Sequence, residues 1–121
     1  MKLKVNTIAG ILDIIGAVLY AFAIFVILGS AFSTDTSTTE GVSTFFLVYA
    51  VVSVVVHIYG LVKSKQNNMP IAGHVLGIIE HGIYAALGAL LGIVAMILVI
   101  IAAVFTLKDN KVPMQNQTSN A

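Results

Sequence analysis

The stretch IAGHVLGIIEHGIYAALGALLGIVAMILVIIAAVFTL, residues 71–107, decides how this chain folds, because it is apolar and unusually long. Among its 37 residues Glu80 is the one Asp, Glu, Lys or Arg. As one helix the stretch would reach about 55 Å, too long for a hydrocarbon core of about 30 Å even when tilted. Gly88 and Gly92 are the glycine pair near its middle. We therefore predict two helices, 71–87 and 89–107, with a tight turn at Gly88–Gly92.

Two further apolar segments, 7–28 and 44–62, precede this stretch, and each is close to the roughly 20 residues that cross a bilayer. Of all 121 residues 59% are hydrophobic and 9% are charged, whereas charged residues make up about a quarter of a globular domain. The sequence thus predicts an all-α, four-transmembrane-helix bundle with the lipid bilayer as its partner. A net charge of only +1 does not indicate nucleic acid.

The lysines predict the orientation of the four spans. All of them fall in three places, which are Lys2 with Lys4, Lys63 with Lys65, and Lys108 with Lys111. Four spans put these places on one side of the membrane, while the opposite loop carries Asp35 and Glu40 and no lysine. Lysine-rich loops remain in the cytoplasm. We expect a multi-pass protein of the plasma membrane with cytoplasmic N- and C-termini, and a polar cytoplasmic tail over 108–121.

An alternative for the first segment is a cleaved signal peptide. The apolar region of a signal peptide is normally about 7–15 residues long, whereas this segment is longer and contains Asp13. We expect it to be retained as a span.

An internal repeat relates the first and third predicted helices. IAGILDIIGAVLYA (8–21) and IAGHVLGIIEHGIYA (71–85) are identical at eight of fourteen positions once His74 is skipped. Each copy would be one helical hairpin, and because two helices return the chain to the same side, the copies would be parallel. We therefore predict a bundle built from two parallel copies of a helical hairpin.

Small residues form stripes on the same two helices. Gly73, Gly77 and Gly88 share a face with Glu80, and steps of three or four residues also align Gly10 with Asp13 and Ala17. Small residues at such spacing let membrane helices approach closely. The predicted helix-packing residues are Gly73, Gly77, Gly88, Gly10 and Ala17.

Ionisable residues inside the spans are the candidates for function. Glu80 lies about 15 Å from the cytoplasmic start of its helix, at about 1.5 Å per residue, which is near the bilayer midplane. An ionised carboxylate there costs at least about 2.5–3.5 kcal/mol, so Glu80 is protonated, paired or hydrated. A polar track to the cytoplasm, of the kind seen in proton relays, is one hypothesis. The predicted proton- or ion-binding candidates are Glu80, His81, Asp13, His57 and His74.

Less specific interpretations of these residues stay open. A neutral Glu80 would need only a hydrogen bond to a neighbouring helix, and His57 and His74, near the interface, would snorkel or bind a backbone carbonyl. Histidine and carboxylate also suit zinc or manganese. Since no pair of them has i, i+4 spacing, we predict no metal site and no cofactor. Without a phosphate-binding loop or a nucleophile paired with a base, we predict no enzyme.

The opening KVNTIAGILDIIG, the lysine-rich inner loop and the short polar tail resemble small four-helix membrane proteins of Gram-positive bacteria, a group of unknown function. Small multidrug resistance transporters are similar in size and span number, but they carry their essential glutamate in the first helix, where this chain has Asp13. We predict a non-catalytic helix-packing or partner-binding membrane module, which forms homo-oligomers or binds another membrane protein. The alternative is a proton- or cation-coupled small transporter that uses Glu80.

Overall fold

The computed structural model describes residues 2–30, 32–33, 37–87 and 92–111. Within these ranges the chain has four helices and no strand. They are α1 (Lys4–Ser30), α2 (Ser37–Gln66), α3 (Ala72–Leu87) and α4 (Gly92–Lys108). The predicted all-α four-helix architecture is confirmed. Asp35 and the predicted tail from 112 onward lie outside the described residues.

α1 and α2 extend beyond the predicted apolar segments at both ends. α2 begins at Ser37 rather than near Thr44, and it continues through Lys65 to Gln66. Its first turn contains Glu40 and its last turn contains lysines, which are the charges that the two ends of a helix dipole favour. A hydropathy pattern marks only the apolar part of such a helix and does not predict its polar ends.

The long apolar stretch divides into two antiparallel helices, as predicted. Gly73 near the start of α3 lies against Thr106 near the end of α4. Of the predicted turn at Gly88–Gly92, residues 88–91 lie outside the described residues, and Gly92 begins α4.

The α2–α3 connection closes with a Schellman motif. Asn68 adopts the left-handed conformation at φ 54°. The Met69 amide donates to the Ser64 carbonyl at 2.9 Å, and the Asn68 amide donates to the Lys65 carbonyl at 3.2 Å. These bonds satisfy the last carbonyls of α2, and asparagine tolerates positive φ better than most residues. The turn thereby ends α2 and sets up the reversal into α3.

The four helices form a closed ring in which α1 packs on α2 and α4, and α3 packs on the same two helices. α1 and α3 therefore lie diagonally across the bundle. Their side chains still meet at its centre, where the rings of Tyr20 and Tyr84 stack with centroids 4.4 Å apart. The two helices that carry the sequence repeat thus face each other across the bundle axis.

Hydrogen bonds bring the three lysine pairs to one end of the bundle, which we call the lysine end. The Leu3 amide donates to Asn110 Oδ1 at 2.9 Å, which joins the start of α1 to the end of α4. Asn6 Nδ2 donates to Ser64 Oγ at 2.9 Å, which joins α1 to the end of α2. The clustering predicted from the sequence is therefore present in the fold.

The inside of the bundle contains many polar side chains beside an apolar core, whereas large apolar side chains cover its outside. Val18, Phe22 and Phe25 of α1 are 61%, 67% and 73% exposed. α1 and α2 are each long and apolar enough to cross a membrane. The buried polar side chains are those of Asn6, Asp13, Ser53, His57, Ser64, His74, Glu80, His81, Thr106 and Asn110.

Candidate functional site

All five predicted ionisable candidates are buried and belong to one connected group. α1 supplies Asp13, α2 supplies His57, and α3 supplies His74, Glu80 and His81. Each side chain is at most 1% exposed. Because residues from three helices converge, their proximity depends on the packing of the whole bundle.

Two carboxyl groups and two imidazoles of this group form a cluster. We call it the acid–histidine centre, and it consists of Asp13, His57, Glu80 and His81. Asp13 Oδ1 lies 2.8 Å from His57 Nε2 and 3.4 Å from His81 Nε2. His81 Nε2 lies 3.1 Å from Glu80 Oε2. Both imidazoles thus turn Nε2 toward the carboxyl groups and Nδ1 away from them.

A chain of polar side chains, the entry path, connects the acid–histidine centre with the lysine end. His57 Nδ1 lies 3.2 Å from His74 Nδ1, and His74 Nε2 lies 3.1 Å from Asn6 Oδ1. Asn6 in turn bonds to Ser64. The entry path consists of His74, Asn6 and Ser64. The expectation that His57 and His74 snorkel or bind backbone is wrong, because both are buried and bind side chains of other helices.

Sequence reasoning missed Asn6 and Ser64. Both lie near helix ends, where a polar side chain is ordinary. A signal was present for Asn6, since it lies three and seven residues before Ala9 and Asp13, on the face of α1 that enters the bundle. Ser64 gave no comparable signal, because its neighbours Lys63 and Lys65 indicate a solvated segment.

Aromatic rings close the bundle on the other side of the acid–histidine centre. Tyr20 and Tyr84 stack, and the Phe46 ring lies 6.0 Å from Tyr20 and 5.9 Å from Tyr84, measured between centroids. We call these three residues the aromatic plug. The Tyr20 hydroxyl lies 2.7 Å from His81 Nδ1. The plug therefore contacts the centre directly, and the core around it is apolar, with Ala50, Ala95 and Val99.

One hydrogen-bond arrangement of the acid–histidine centre places a proton or another cation between His57 and Asp13. Asn6 presents its carbonyl oxygen to His74, so His74 donates through Nε2, and a neutral His74 accepts at Nδ1. His57 must then donate through Nδ1, which leaves a bare Nε2 facing Asp13 Oδ1 at 2.8 Å. Two lone pairs at this distance repel each other. A proton or another cation between His57 and Asp13 removes that repulsion.

Several polar atoms of this centre lack a partner with hydrogen-bond geometry in the described part of the chain. They are Asp13 Oδ2, both carboxyl oxygens of Glu80 and His81 Nε2. An unsatisfied buried polar group costs about 1–3 kcal/mol. Lysine side chains do not supply the missing partners, because all lysines lie among the described residues and each is exposed or half-buried. The centre consequently has spare electron-pair donors.

Two glycines make room for the imidazoles. A Cβ on Gly77 of α3 would collide with the ring of His57 from α2. A Cβ on Gly60 of α2 would lie 2.8 Å from Nδ1 of His74 from α3. Each helix therefore accepts a histidine of the other against a glycine, which places both rings between α2 and α3.

The other predicted packing residues also contact helices of the same chain. Gly10 of α1 lies against Leu107 of α4, and Gly73 lies against the backbone of Thr106. Ala17 packs against the apolar core. Gly88 lies outside the described residues. These contacts occupy the small-residue stripes within a single bundle.

Three buried side chains lie close enough together to hold a metal ion, although the sequence predicted no metal site. Asp13, His57 and His81 each offer one ligand atom, and these atoms all lie within 4.8 Å of one another. The expectation rested on spacing along a single helix, whereas these ligands come from three helices.

No protein-family model matches this chain, and no curated protein and no solved structure is significantly similar to it.

Proposed function

We propose that this chain is a multi-pass membrane protein whose four helices all cross the bilayer, with the lysine end in the cytoplasm. The exposed apolar surface of α1 and α2 supports this, because soluble proteins rarely expose contiguous apolar patches above a few hundred Å². Burial of Asp13 and Glu80 supports it as well, since ionisable residues of membrane helices face the bundle interior. Stacking of Tyr20 on Tyr84, which are matched positions of the repeat, is what two parallel hairpins about a central axis would produce.

The absence of cysteine from the sequence makes this topology directly testable. Gly41→Cys and Lys65→Cys place single thiols at exposed positions near opposite ends of α2. In intact bacterial cells we expect a membrane-impermeant maleimide to label Gly41→Cys. Lys65→Cys should react only after permeabilisation, because its thiol would be cytoplasmic. Labelling of Lys65→Cys in intact cells would contradict the orientation.

Within that topology, the protein acts as a proton- or cation-coupled small transporter that uses Glu80. The observation that carries this proposal is the continuous polar chain from the lysine end to the acid–histidine centre. Polar and ionisable residues inside membrane bundles mark ion pathways, because burying them without such a role is costly. The entry path links the centre to one end of the bundle through hydrogen-bonded side chains, and the aromatic plug lies on the other side of the centre. This asymmetry is what one state of an alternating-access cycle would have.

The helix-packing hypothesis is less well supported as a complete function. Gly73 and Gly77 contact Thr106 and His57 of their own chain, so neither has room for a partner helix. The packing of these glycines instead brings Glu80 and its neighbours together.

Reconstituted liposomes test the transport proposal. With a pH- or metal-sensitive dye inside, we expect the parent protein to produce an ion-dependent signal and Glu80→Gln to fall to the level of empty liposomes, because the amide cannot bind a cation as the carboxylate does. The matched control is Glu40→Gln, the same chemical change at an exposed position of α2, and its flux should equal that of the parent. A Glu80→Gln protein as active as the parent would remove Glu80 from the mechanism.

A further inference from the structure

We infer that the acid–histidine centre binds one divalent transition-metal ion, with a carboxyl oxygen of Asp13, Nε2 of His57 and Nε2 of His81 as ligands and the Glu80 carboxylate as the fourth. This inference rests on the proposed function, because it identifies the cation that the centre accepts.

Distances between the donor atoms fit such an ion. Metal–nitrogen and metal–oxygen bonds of about 2.0–2.2 Å in a tetrahedral site separate neighbouring ligand atoms by about 3.3 Å. The observed separations are 2.8 Å from Asp13 to His57, 3.4 Å from Asp13 to His81 and 3.1 Å from His81 to the carboxylate of Glu80. The ligand atoms of Asp13, His57 and His81 all lie within 4.8 Å of one another, and the Glu80 carboxylate, which lies next to His81, must move toward Asp13 and His57 to complete the coordination.

The second ring nitrogen of each ligand histidine is held in the way that metal sites require. Metal-bound histidines almost always donate their other N–H to a neighbouring acceptor, which fixes the tautomer and the ring orientation. For His57 the acceptor is Nδ1 of His74, itself fixed by Asn6. For His81 the Tyr20 hydroxyl, 2.7 Å from Nδ1, is the group that can accept. In this pair of tautomers each Nε2 is bare and directed at the centre.

Charge balance favours a divalent ion over a monovalent one. Two ionised carboxylates and two neutral imidazoles carry a formal charge of −2, and both carboxyl groups are fully buried. A buried charge is costly unless it is paired or coordinates a metal. A divalent cation brings the centre to neutrality, and it also engages His81 Nε2 and a carboxyl oxygen of Glu80, which lack hydrogen-bond partners in the described part of the chain.

The chemistry of the ligand atoms favours a first-row transition-metal ion. Two imidazole nitrogens and two carboxylates suit Zn²⁺, Mn²⁺, Fe²⁺ or Co²⁺. Mg²⁺ and Ca²⁺ prefer oxygen ligands alone, and copper(I) prefers sulfur, which the centre does not offer.

The test uses full-length protein in detergent, purified through an affinity tag without histidine. Co²⁺ titration followed by visible absorption, and elemental analysis of Zn²⁺ after gel filtration, should each give one ion per chain, with a tetrahedral Co²⁺ spectrum. Asp13→Asn and His57→Gln should lose the ion, and Glu40→Gln should retain it. His74→Gln, a positioning change, should weaken binding about 10–100-fold without changing the stoichiometry.

Parent protein that takes up no stoichiometric Co²⁺ or Zn²⁺ would overturn the inference, whatever the fate of the variants. So would unchanged binding in both folded ligand variants, where circular dichroism and gel filtration confirm folding. Should those variants fail to fold, a rise in the melting temperature of the parent with Zn²⁺ but not with Mg²⁺ supports the site, and no rise rejects it.

The same preparations separate this inference from the transport proposal. Glu80-dependent proton flux that persists in a metal chelator, in protein that binds no metal, would reject the metal site and retain transport. Stoichiometric metal binding without any ion flux would retain the metal site and reject transport.

Discussion

Replacing Asp13 with alanine is expected to lower the free energy of unfolding of the bundle by about 2–5 kcal/mol, because it leaves buried imidazoles without their partner. Asp13 contacts both His57 and His81 through the same oxygen, at 2.8 and 3.4 Å. Its loss also leaves a cavity between α1, α2 and α3. Reversible unfolding in mixed detergent micelles, followed by circular dichroism with a chelator present, measures the change.

Asp13→Asn serves as the comparison for this prediction. The asparagine keeps the volume of the side chain and one acceptor oxygen, so we expect a smaller loss than for alanine. Surface substitutions usually change the free energy of unfolding by less than about 0.5 kcal/mol. A change as small as that for Asp13→Ala would mean that the carboxyl group does not hold the two imidazoles.

The second large effect is expected for Gly73→Ala, which should destabilise the bundle by about 1–3 kcal/mol through overpacking. The new Cβ would lie 2.6 Å from the backbone nitrogen and 2.9 Å from the Cα of Thr106. Backbone of a packed helix cannot turn aside as the end of a flexible side chain can, so α3 and α4 must separate. Because α3 also carries Glu80 and His81, the shift should weaken the acid–histidine centre.

Gly82 on the same helix provides the matched control. A Cβ there has no atom within 4 Å among the described residues, so Gly82→Ala meets no obstacle. Alanine is about 1 kcal/mol more favourable than glycine in a helix interior. We therefore expect opposite signs for the two substitutions in the same unfolding assay. Equal effects would mean that the contact between α3 and α4 does not limit stability.

The candidate site shows where inference from the sequence reaches its limit. The burial of Glu80 follows from its place in a long apolar stretch, because nearly every neighbour on its helix must face lipid or core. The partners of Glu80 do not follow from such reasoning. Asn6 and Ser64 lie 58 residues apart in sequence, and only helix packing makes them neighbours. His57 and His74 meet because each fits against a glycine of the other helix.

The long stretch 71–107 shows the same division. By itself, the sequence determined that this stretch reverses, that four helices form and that the lysines share one end, because helix length and the distribution of charge are local, additive properties. Only the tertiary structure decided which polar atoms meet inside, since donor distances and tautomers depend on the relative positions of three helices. That is why spacing along one helix predicted no metal site, whereas Asp13, His57 and His81 converge from α1, α2 and α3.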